Sequence, residues 1–344
     1  MPLTLHVDAG RWRAHLRSYL AEHGGAVPVS KGNGYGFGRP VLAAEASALG
    51  VPTLAVGTYE EVSAVDLPFR GDVLVLSPWR RGYDRGLTDN SRVIHTVSRL
   101  TDLRALAEST SQPRVVVELI TSMRKHGIAE TEIGQAVSIL DDVRFEGWAL
   151  HLPLAGDRMA QARDLSRLFI ATTEAEGDRL WVSHLSADEA DQLAAETGRE
   201  VRLRVGTALW LGDRSALRAR ATVLDVHVVR HGQPFGYRQR KAPRDGVLLV
   251  VAGGTAHGIA LEAPTPATSV RQRAVAVAKG SLEAVGRAMS PYRVAGKQRW
   301  FAEPPHMQSS LIWLPANINP PTVGDEIDVD VRYTTTTFDR IVWA

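Results

Sequence analysis

The sequence predicts an α/β fold in which an N-terminal (β/α)8 TIM-like barrel (residues 1–215) is followed by a C-terminal β-rich domain (residues 216–344). Between about residues 27 and 210, short apolar runs rich in β-branched residues alternate with amphipathic segments, which is the pattern of parallel βα units. Eight strands with intervening helices favour a closed barrel. The predicted barrel strands cover residues 27–30, 53–56, 73–76, 92–96, 115–119, 147–152, 180–183 and 202–205.

After about residue 215 the pattern changes to strands that lack partners of helix length. The last predicted strand alternates apolar Ile327, Val329 and Val331 with polar residues, as a half-buried strand does. Residues 334–337 are interpreted as its continuation, and residues 264–273 as a loop. The predicted strands of this domain cover residues 222–229, 247–251, 311–314 and 326–333.

Several helix ends are marked locally in the barrel region. Residues 58–61 and 186–189 both match the capping box, in which a Ser or Thr is followed three positions later by Glu. Gly50 and Gly198 stand where helices are expected to end, because glycine adopts the left-handed conformation found there. These signals support helices between the predicted strands.

Composition excludes several classes of function. A formal charge of +2 over 344 residues is too small to indicate binding to nucleic acid or to an anionic membrane. No apolar run approaches the roughly 18 residues of a membrane span, and the first residues lack the apolar stretch of a signal peptide, so a cytoplasmic location is expected. The chain has no cysteine, which excludes disulfides, thiolate metal sites and a cysteine nucleophile. No metal site is predicted.

Residues 29–38 read V-S-K-G-N-G-Y-G-F-G, a lysine at the end of a short apolar strand followed by a glycine-rich turn. A lysine that attacks an aldehyde must be held on a rigid element with its ammonium partly desolvated, so that the pKa falls and the neutral amine is populated. Lys31 has this placement. The glycines at 32, 34, 36 and 38 suit positive φ angles and close backbone approach. The alternative is a surface lysine in an ordinary βα loop.

This stretch resembles the K-x-N-x-Y-G-x-G signature of the alanine racemase family, which are fold-type III enzymes that use pyridoxal 5'-phosphate. The resemblance implies that Lys31 forms the Schiff base with the cofactor and that Tyr35 lies against the cofactor near its phosphate. A barrel followed by a β-rich domain is also the architecture of that family. In a barrel, chemistry belongs at the carboxyl ends of the strands, and Lys31 follows the first predicted strand.

The resemblance extends to three further strand ends. The segment E-G-W-A-L-H matches a family motif whose histidine, here His151, stacks near the pyridine ring, although a structural histidine at the barrel mouth is the alternative. Ser186 is a candidate phosphate ligand or simply a helix N-cap. In R-L-R-V-G-T, Arg204 is assigned to the pyridine nitrogen and Gly206 and Thr207 to the phosphate.

Other positions depart from the family. The racemase has a catalytic tyrosine in G-Y-A-D-G, where this chain reads G-T-A-H-G, so Thr255 occupies the position of the second base. An alkyl hydroxyl is a poor base, and His257 is the neighbouring candidate. The substrate side is assigned to Lys125, in place of a family arginine, and to Met307. Glu118 either replaces the charge of the family's carbamylated lysine or forms an ion pair with Lys125.

The resemblance implies an enzyme acting at Cα of a small-molecule amino acid, with racemase or epimerase chemistry and an altered second base. The alternative is a catalytically degenerate homologue that binds the cofactor or an amino acid without racemizing alanine. Related barrel decarboxylases rely on a cysteine, which this chain lacks. A homodimer is expected, in which the C-terminal domain of each subunit completes the active site of its partner.

Overall fold

The computed structural model describes residues 2–109, 111–170, 179–261 and 288–344. The chain divides into two compact units. The barrel unit comprises Arg13–Gly34 and Gly38–Gly212, and the β-rich unit comprises Met1–Trp12, Tyr35–Phe37 and Asp213–Ala344. The boundary between Gly212 and Asp213 lies close to the predicted boundary between residues 215 and 216. The first twelve residues, however, group with the β-rich unit and not with the barrel.

The barrel unit is built on eight parallel strands. Adjacent pairs run parallel along the whole sheet, and a parallel bridge between Val29 and Ala55 brings its two edges together. Ser30 N–H donates to Ala55 O at 2.7 Å at the same place. The predicted (β/α)8 architecture is therefore confirmed. In chain order, after β1 (Leu3–Val7) of the other unit, the barrel strands are β2 (Ala26–Pro28), β3 (Thr53–Val56), β4 (Asp72–Val75), β5 (Val93–Val97), β6 (Arg114–Leu119), β7 (Arg144–Leu150), β8 (Leu180–Ser183) and β9 (Val201–Val205).

Helices follow most of these strands, as the βα pattern predicts. Leu42, Ala43 and Ala46 are the buried apolar residues of the second helix, and Gly198 ends the seventh with a φ of 66°. The helices are α1 (Ala9–Glu22), α2 (Arg39–Ala48), α3 (Val62–Asp66), α4 (Leu100–Ala107), α5 (Ile133–Val137), α6 (Arg158–Ile170), α7 (Ala187–Thr197) and α8 (Thr207–Trp210). No helix among the described residues is long and apolar enough to cross a membrane.

The two predicted capping boxes have different outcomes. Ser186 caps α7, since its hydroxyl accepts from Glu189 N at 3.1 Å and the Glu189 carboxylate accepts from Ser186 N at 2.8 Å. Thr58 makes no such cap, and the Glu61 carboxylate instead accepts from the backbone of Gly32 and Gly57. The prediction at Thr58 is wrong because the Glu61 carboxylate binds the amide of Gly57, the residue before Thr58, and the distant amide of Gly32.

This difference gives a matched pair of variants. We expect Ser186→Ala to lower the free energy of unfolding by about 1 kcal/mol, because it removes the acceptor for an N-terminal amide of α7. Thr58→Ala should change it by less than about 0.5 kcal/mol. Equilibrium urea denaturation of both variants measures the two values, and equal losses would contradict the assignment of the caps.

Apolar side chains fill the middle of the barrel, and a charge network lies at the amino ends of its strands. The apolar cluster contains Val27, Val29, Ala55, Leu74, Ile94, Val116, Ala149 and Trp181. Arg114 Nε donates to Glu146 at 2.6 Å, and its two terminal nitrogens donate to Asp72 at 2.6 and 2.7 Å. Arg179 binds the second Glu146 oxygen at 2.9 Å. This network lies at the opposite ends of the strands from Lys31, so it takes no part in the site at the carboxyl ends.

The β-rich unit is a mostly antiparallel sheet whose core is formed by inward-facing residues of several strands, including Leu249, Tyr292 and Ile312. The strands after β9 are β10 (Leu217–Val229), β11 (Pro234–Phe235), β12 (Arg240–Lys241), β13 (Gly246–Ala252), β14 (Met289–Val294), β15 (Lys297–Phe301), β16 (Ser309–Pro315), β17 (Glu326–Val329) and β18 (Arg340–Trp343). The strand order of the sheet is β13-β16-β15-β14-β17-β10-β1-β18, and β10 also pairs with β13, which closes six strands into a ring.

Some local predictions in this unit need correction. The strand predicted over residues 326–333 ends at Val329, and residues 334–337 do not continue it. The amides of Thr335 and Thr336 both bond to the carbonyl of Arg332, which makes a turn there. The predicted loop at residues 264–273 lies outside the described residues. The N-terminal strand β1 was not predicted, because only its pairing with β10 and β18 defines it.

Candidate active site at the carboxyl ends of the barrel strands

Lys31 directly follows the segment that closes the barrel. Val29 N–H donates to Val205 O, and Val29 O accepts from the indole of Trp210, so the backbone just before the lysine is held on both sides. All four glycines of the turn have positive φ, with 60° at Gly32 and 62° at Gly34. At Gly34 a Cβ would overlap the backbone of Arg39, so the tight turn requires glycine there.

The surroundings of Lys31 favour its neutral amine. The side chain is solvent-exposed along part of its length, yet the protein around its ammonium desolvates it and lowers its pKa. The positive charges of Lys125 and Arg204 lower the pKa further, and Glu61 opposes them. A nucleophilic lysine requires this direction of shift.

Glu61 connects the loops after the first two barrel strands. Its two carboxylate oxygens accept from Gly32 N and Gly57 N, both at 2.7 Å. Arg39 lies 3.6 Å from the same carboxylate and also bonds to Gly32 O. A Cβ at Gly57 would lie 3.1 Å from the Cβ of Lys31, so this glycine gives the lysine its room. Glu61 therefore positions the turn that carries Lys31.

A buried cation and a buried carboxylate stand at the ends of β9 and β6. Arg204 is 7% exposed and donates to Leu150 O at 2.8 Å. Glu118 is 4% exposed, and its Oε2 has no hydrogen-bond partner within the described part of the chain. Burial raises the pKa of Glu118, and the charges of Arg204 and Lys125 act in the opposite direction. The structure thus places Glu118 under the influence of both cations.

Lys125 lies on a loop that folds back onto its own strand. Ile120 N–H donates to Ile128 O at 3.0 Å, and Ile128 N–H donates to Glu118 O at 2.8 Å, which returns the chain to the end of β6. Gly127, with φ at 132°, allows this return, because a Cβ there would overlap the backbone at residues 119–120. The loop therefore brings the exposed Lys125 into the electrostatic environment of Lys31.

His151 is a neutral imidazole at the end of β7. Burial lowers its pKa to about 3, and the positive charges of Arg204, His184, Lys125 and Lys31 contribute in the same direction. Its ring meets that of His184 edge to face at 5.5 Å. His184 has a φ of 63°, which is rare outside glycine, and its Nδ1 lies 2.6 Å from Leu152 O. At neutral pH His151 offers an uncharged ring.

The candidate phosphate ligands lie at two helix starts. Ser186 is the exposed N-cap of α7, and the cap uses its oxygen as an acceptor while its O–H remains a donor by type. Gly206 and Thr207 begin the short helix α8, where Gly206 O accepts from Trp210 N and Thr207 O from Leu211 N. Thr207 is exposed. These residues follow β8 and β9 directly.

The candidate residues of the β-rich unit differ in accessibility. Thr255 is exposed, and Met307 is 68% exposed. His257 is 6% exposed; its Nδ1 accepts from Gly254 N at 3.2 Å and its Nε2 lies 3.0 Å from Asp339. Because both ring nitrogens are engaged, His257 supports its turn and is poorly placed to exchange protons with a substrate.

A family model described as alanine racemase, N-terminal domain, matches residues 7–213, which is more than half of the chain. The chain belongs to the alanine racemase family. Among curated proteins it is 26% identical over 283 residues to the alanine racemase of Mycobacterium tuberculosis, covering 74% of this chain and 73% of the relative. To an alanine racemase of Campylobacter jejuni it is 24% identical over 233 residues, covering 65% and 67% respectively.

Solved alanine racemases share the fold. The structure from Bartonella henselae, which has covalently bound pyridoxal phosphate, matches with a TM-score of 0.75 at 14% identity over all of both chains. The structure from E. faecalis matches with a TM-score of 0.68 at 19% identity, covering 95% of this chain and 88% of that one. At these identities the likeness establishes the architecture.

The sequence alone did not identify two residues at the barrel mouth of this alanine racemase family member. The local sequence places Glu61 in a capping box, and only the tertiary fold shows it holding the Lys31 turn. His184 carries no local signal beyond its position after β8. Tyr35, assigned to the cofactor by resemblance, is 6% exposed with φ at 54° and groups with the β-rich unit.

Proposed function

We propose that this chain is a pyridoxal 5'-phosphate-dependent enzyme that moves a proton at Cα of an amino acid, as a racemase or epimerase does. The observation that carries the proposal is Lys31. It stands at the carboxyl end of the first barrel strand, on a turn that requires glycine, with its pKa lowered by desolvation and by neighbouring cations. Membership of the alanine racemase family supports the same chemistry.

The residues present fit the cofactor. The aldehyde of the cofactor would react with a neutral amine, which Lys31 supplies. The aromatic ring of the cofactor would pack against a flat uncharged neighbour, which His151 supplies. The ring nitrogen of the cofactor would accept a hydrogen bond, and its donor would be Arg204, which is buried at the end of β9 and cationic by type. A phosphate needs hydroxyl and amide donors, for which Ser186 and Thr207 stand at helix starts.

Each side chain then has a defined task. When bound, the cofactor supplies a conjugated ring that spreads the electron pair left at Cα after a proton departs. Lys31 would hold the cofactor through its amine, and the same amine would take or return the Cα proton on its own face. Arg204, as a permanent donor, holds the ring nitrogen unprotonated, which favours simple proton transfer over reactions that need a deeper electron sink. Lys125 offers a positive charge to the substrate side.

A homodimer is part of the proposal, with the C-terminal unit of each subunit completing the Lys31 site of its partner. Support comes from Thr255 and Met307, which are accessible on the β-rich unit and match positions that face substrate in the family. Gel filtration at micromolar concentration should give the mass of two 37.4 kDa chains. Elution as a monomer, with or without cofactor, would contradict this arrangement. The cytoplasmic location stays a prediction.

The first test is covalent. Purified protein incubated with pyridoxal phosphate should develop a visible absorption band, and borohydride should fix a mass adduct on the peptide that contains Lys31. In deuterated water, the loaded enzyme should then exchange the α-hydrogen of its amino acid substrate, measured by proton NMR with L- and D-alanine first and other amino acid pairs after. Absence of an adduct on Lys31 would refute the proposal.

A second function, binding without turnover, is favoured by one observation. Thr255 stands where the family has its catalytic tyrosine, and an alkyl hydroxyl is a poor base near neutral pH. A degenerate homologue of this kind would form the Lys31 adduct but exchange neither enantiomer of any amino acid. The exchange experiment therefore separates a racemase, which exchanges both enantiomers, from a binding protein.

A further inference from the structure

We propose that His306, oriented by the buried carboxylate of Glu303, is the second acid–base group of this enzyme. The inference rests on the proposed function, which leaves the second base open because Thr255 is unsuited to it and His257 is engaged in its own turn. It concerns a cluster of the β-rich unit formed by Tyr237, Glu303 and His306, here called the Glu303 cluster. Sequence reasoning had assigned no role to these three residues.

Glu303 is a buried carboxylate with two defined partners. It is 3% exposed, and its Oε1 lies 2.7 Å from Nε2 of His306. Its Oε2 accepts from the backbone N–H of Tyr237 at 3.0 Å. At Gly236, which has a φ of 69°, an added Cβ would overlap this carboxylate, so the loop can close over Glu303 only with glycine at that position.

The burial of this carboxylate distinguishes the pair. Within the described part of the β-rich unit, three other histidines bond to carboxylates, and their acid side chains are 26% exposed at Glu326, 56% at Asp225 and 44% at Asp339. The side chain of Glu303 is 2% exposed, while that of His306 is 25% exposed. A buried acid behind a partly exposed imidazole is the arrangement that orients a general base.

The hydrogen bond also decides which nitrogen is reactive. A carboxylate accepts, so Nε2 of His306 carries the hydrogen and Nδ1 carries the lone pair. The ring is further fixed by Tyr237, whose ring centroid lies 4.4 Å away at an interplanar angle of 46°. The imidazole is therefore held in one orientation with one basic nitrogen.

His306 lies beside the positions already assigned to the substrate side. Its carbonyl accepts from Thr255 N at 2.8 Å, and the carbonyl of Met307 accepts from Ala256 N at 3.0 Å. The backbone of His306 is anchored a second time, since its N–H donates to Ser309 O at 2.9 Å. A second base is needed next to Thr255, and His306 is the titratable side chain bonded through its backbone to that residue.

Protons are conserved in the proposed reaction. On one face of the substrate, Nδ1 of His306 takes the Cα proton, the electron pair of that C–H bond stays with the substrate, and the imidazolium is balanced by Glu303. On the other face, in the proposed dimer, the ammonium of Lys31 of the partner subunit delivers a proton to Cα. In the reverse direction Lys31 takes the proton and His306 delivers one. Each turnover inverts Cα with no net gain or loss of protons.

The test uses the loaded full-length protein and measures α-hydrogen exchange of each enantiomer separately in deuterated water. We expect His306→Gln to lose at least about 100-fold in exchange of one enantiomer, as removal of a general base does, and to keep exchange of the other within a few-fold. Glu303→Gln should reduce exchange of that same enantiomer about tenfold, since the imidazole loses its charged partner. His227→Gln, at an exposed histidine paired with Asp225, is the matched control and should change neither.

The Lys31 adduct, fixed with borohydride, and the far-UV circular dichroism spectrum must be retained in each variant, which separates loss of a base from loss of the fold. Exchange of both enantiomers by wild type and equally by His306→Gln would overturn this inference while leaving the proposed function intact. The inference would also be overturned if Tyr237→Phe, and not His306→Gln, lost the exchange of one enantiomer, because the base would then be the phenol of Tyr237. Wild-type exchange of one enantiomer alone would overturn it too, and exchange of neither would remove the proposed function itself.

Discussion

The Lys31→Ala variant is expected to lose the borohydride-fixed adduct completely and to reduce α-hydrogen exchange of both enantiomers by at least about 1,000-fold, because no other lysine among the described residues lies at the carboxyl end of the first barrel strand. The readouts are the mass of the reduced protein and proton NMR of the exchanged amino acid. Its charge neighbour Lys125 provides the matched control. Lys125→Ala should keep the adduct at Lys31, since its amine lies on a different loop.

Two charged neighbours of Lys31 make adduct formation depend on pH. Lys125 lowers the pKa of Lys31, so its removal should raise that pKa and shift adduct formation to higher pH. Glu61 acts in the opposite sense, and Glu61→Gln should shift adduct formation to lower pH. An adduct that persists in Lys31→Ala, carried by Lys125, would show that the cofactor lysine is misassigned.

The second large effect concerns stability. Glu146→Ala is expected to lower the free energy of unfolding by about 3–5 kcal/mol, because it leaves Arg114 buried without one of its two carboxylate partners. Arg114 is 9% exposed; burial lowers its pKa, and the hydrogen bonds that it donates to Asp72 and Glu146 outweigh that effect and raise it. Arg179 loses the same partner. Urea denaturation followed by tryptophan fluorescence and circular dichroism measures the loss.

An exposed ion pair in the same unit serves as the control. Asp164 and Arg167 are paired at 3.1 Å, with side chains 72% and 74% exposed. Asp164→Ala should change the free energy of unfolding by less than about 0.5 kcal/mol, because a solvated pair contributes little. Comparable losses in Glu146→Ala and Asp164→Ala would mean that the network at the amino ends of the strands is not what stabilises the barrel.

Much of the fold follows from local pattern. The barrel strands were predicted because parallel strands, buried on both faces, are continuous apolar runs, and the cap at Ser186 because its bonds lie within one turn. The turn after Lys31 was predicted because glycine favours positive φ, and all four of its glycines have positive φ. Strands β1 and β18 were missed because only their pairing with strands distant in sequence defines them, and β11 was missed because it is only two residues long.

The sequence by itself determined the fold class, the family and the presentation of Lys31 at a strand end, because these depend on periodicity, glycine geometry and a contiguous motif. Tertiary structure alone decided the electrostatic environment. Glu61 accepts from the distant amide of Gly32, His257 turned to Asp339, and Glu303 is buried where it accepts from the amide of Tyr237. The physical reason is that burial and the partner of a charged group depend on residues far apart in sequence, which a local pattern does not encode.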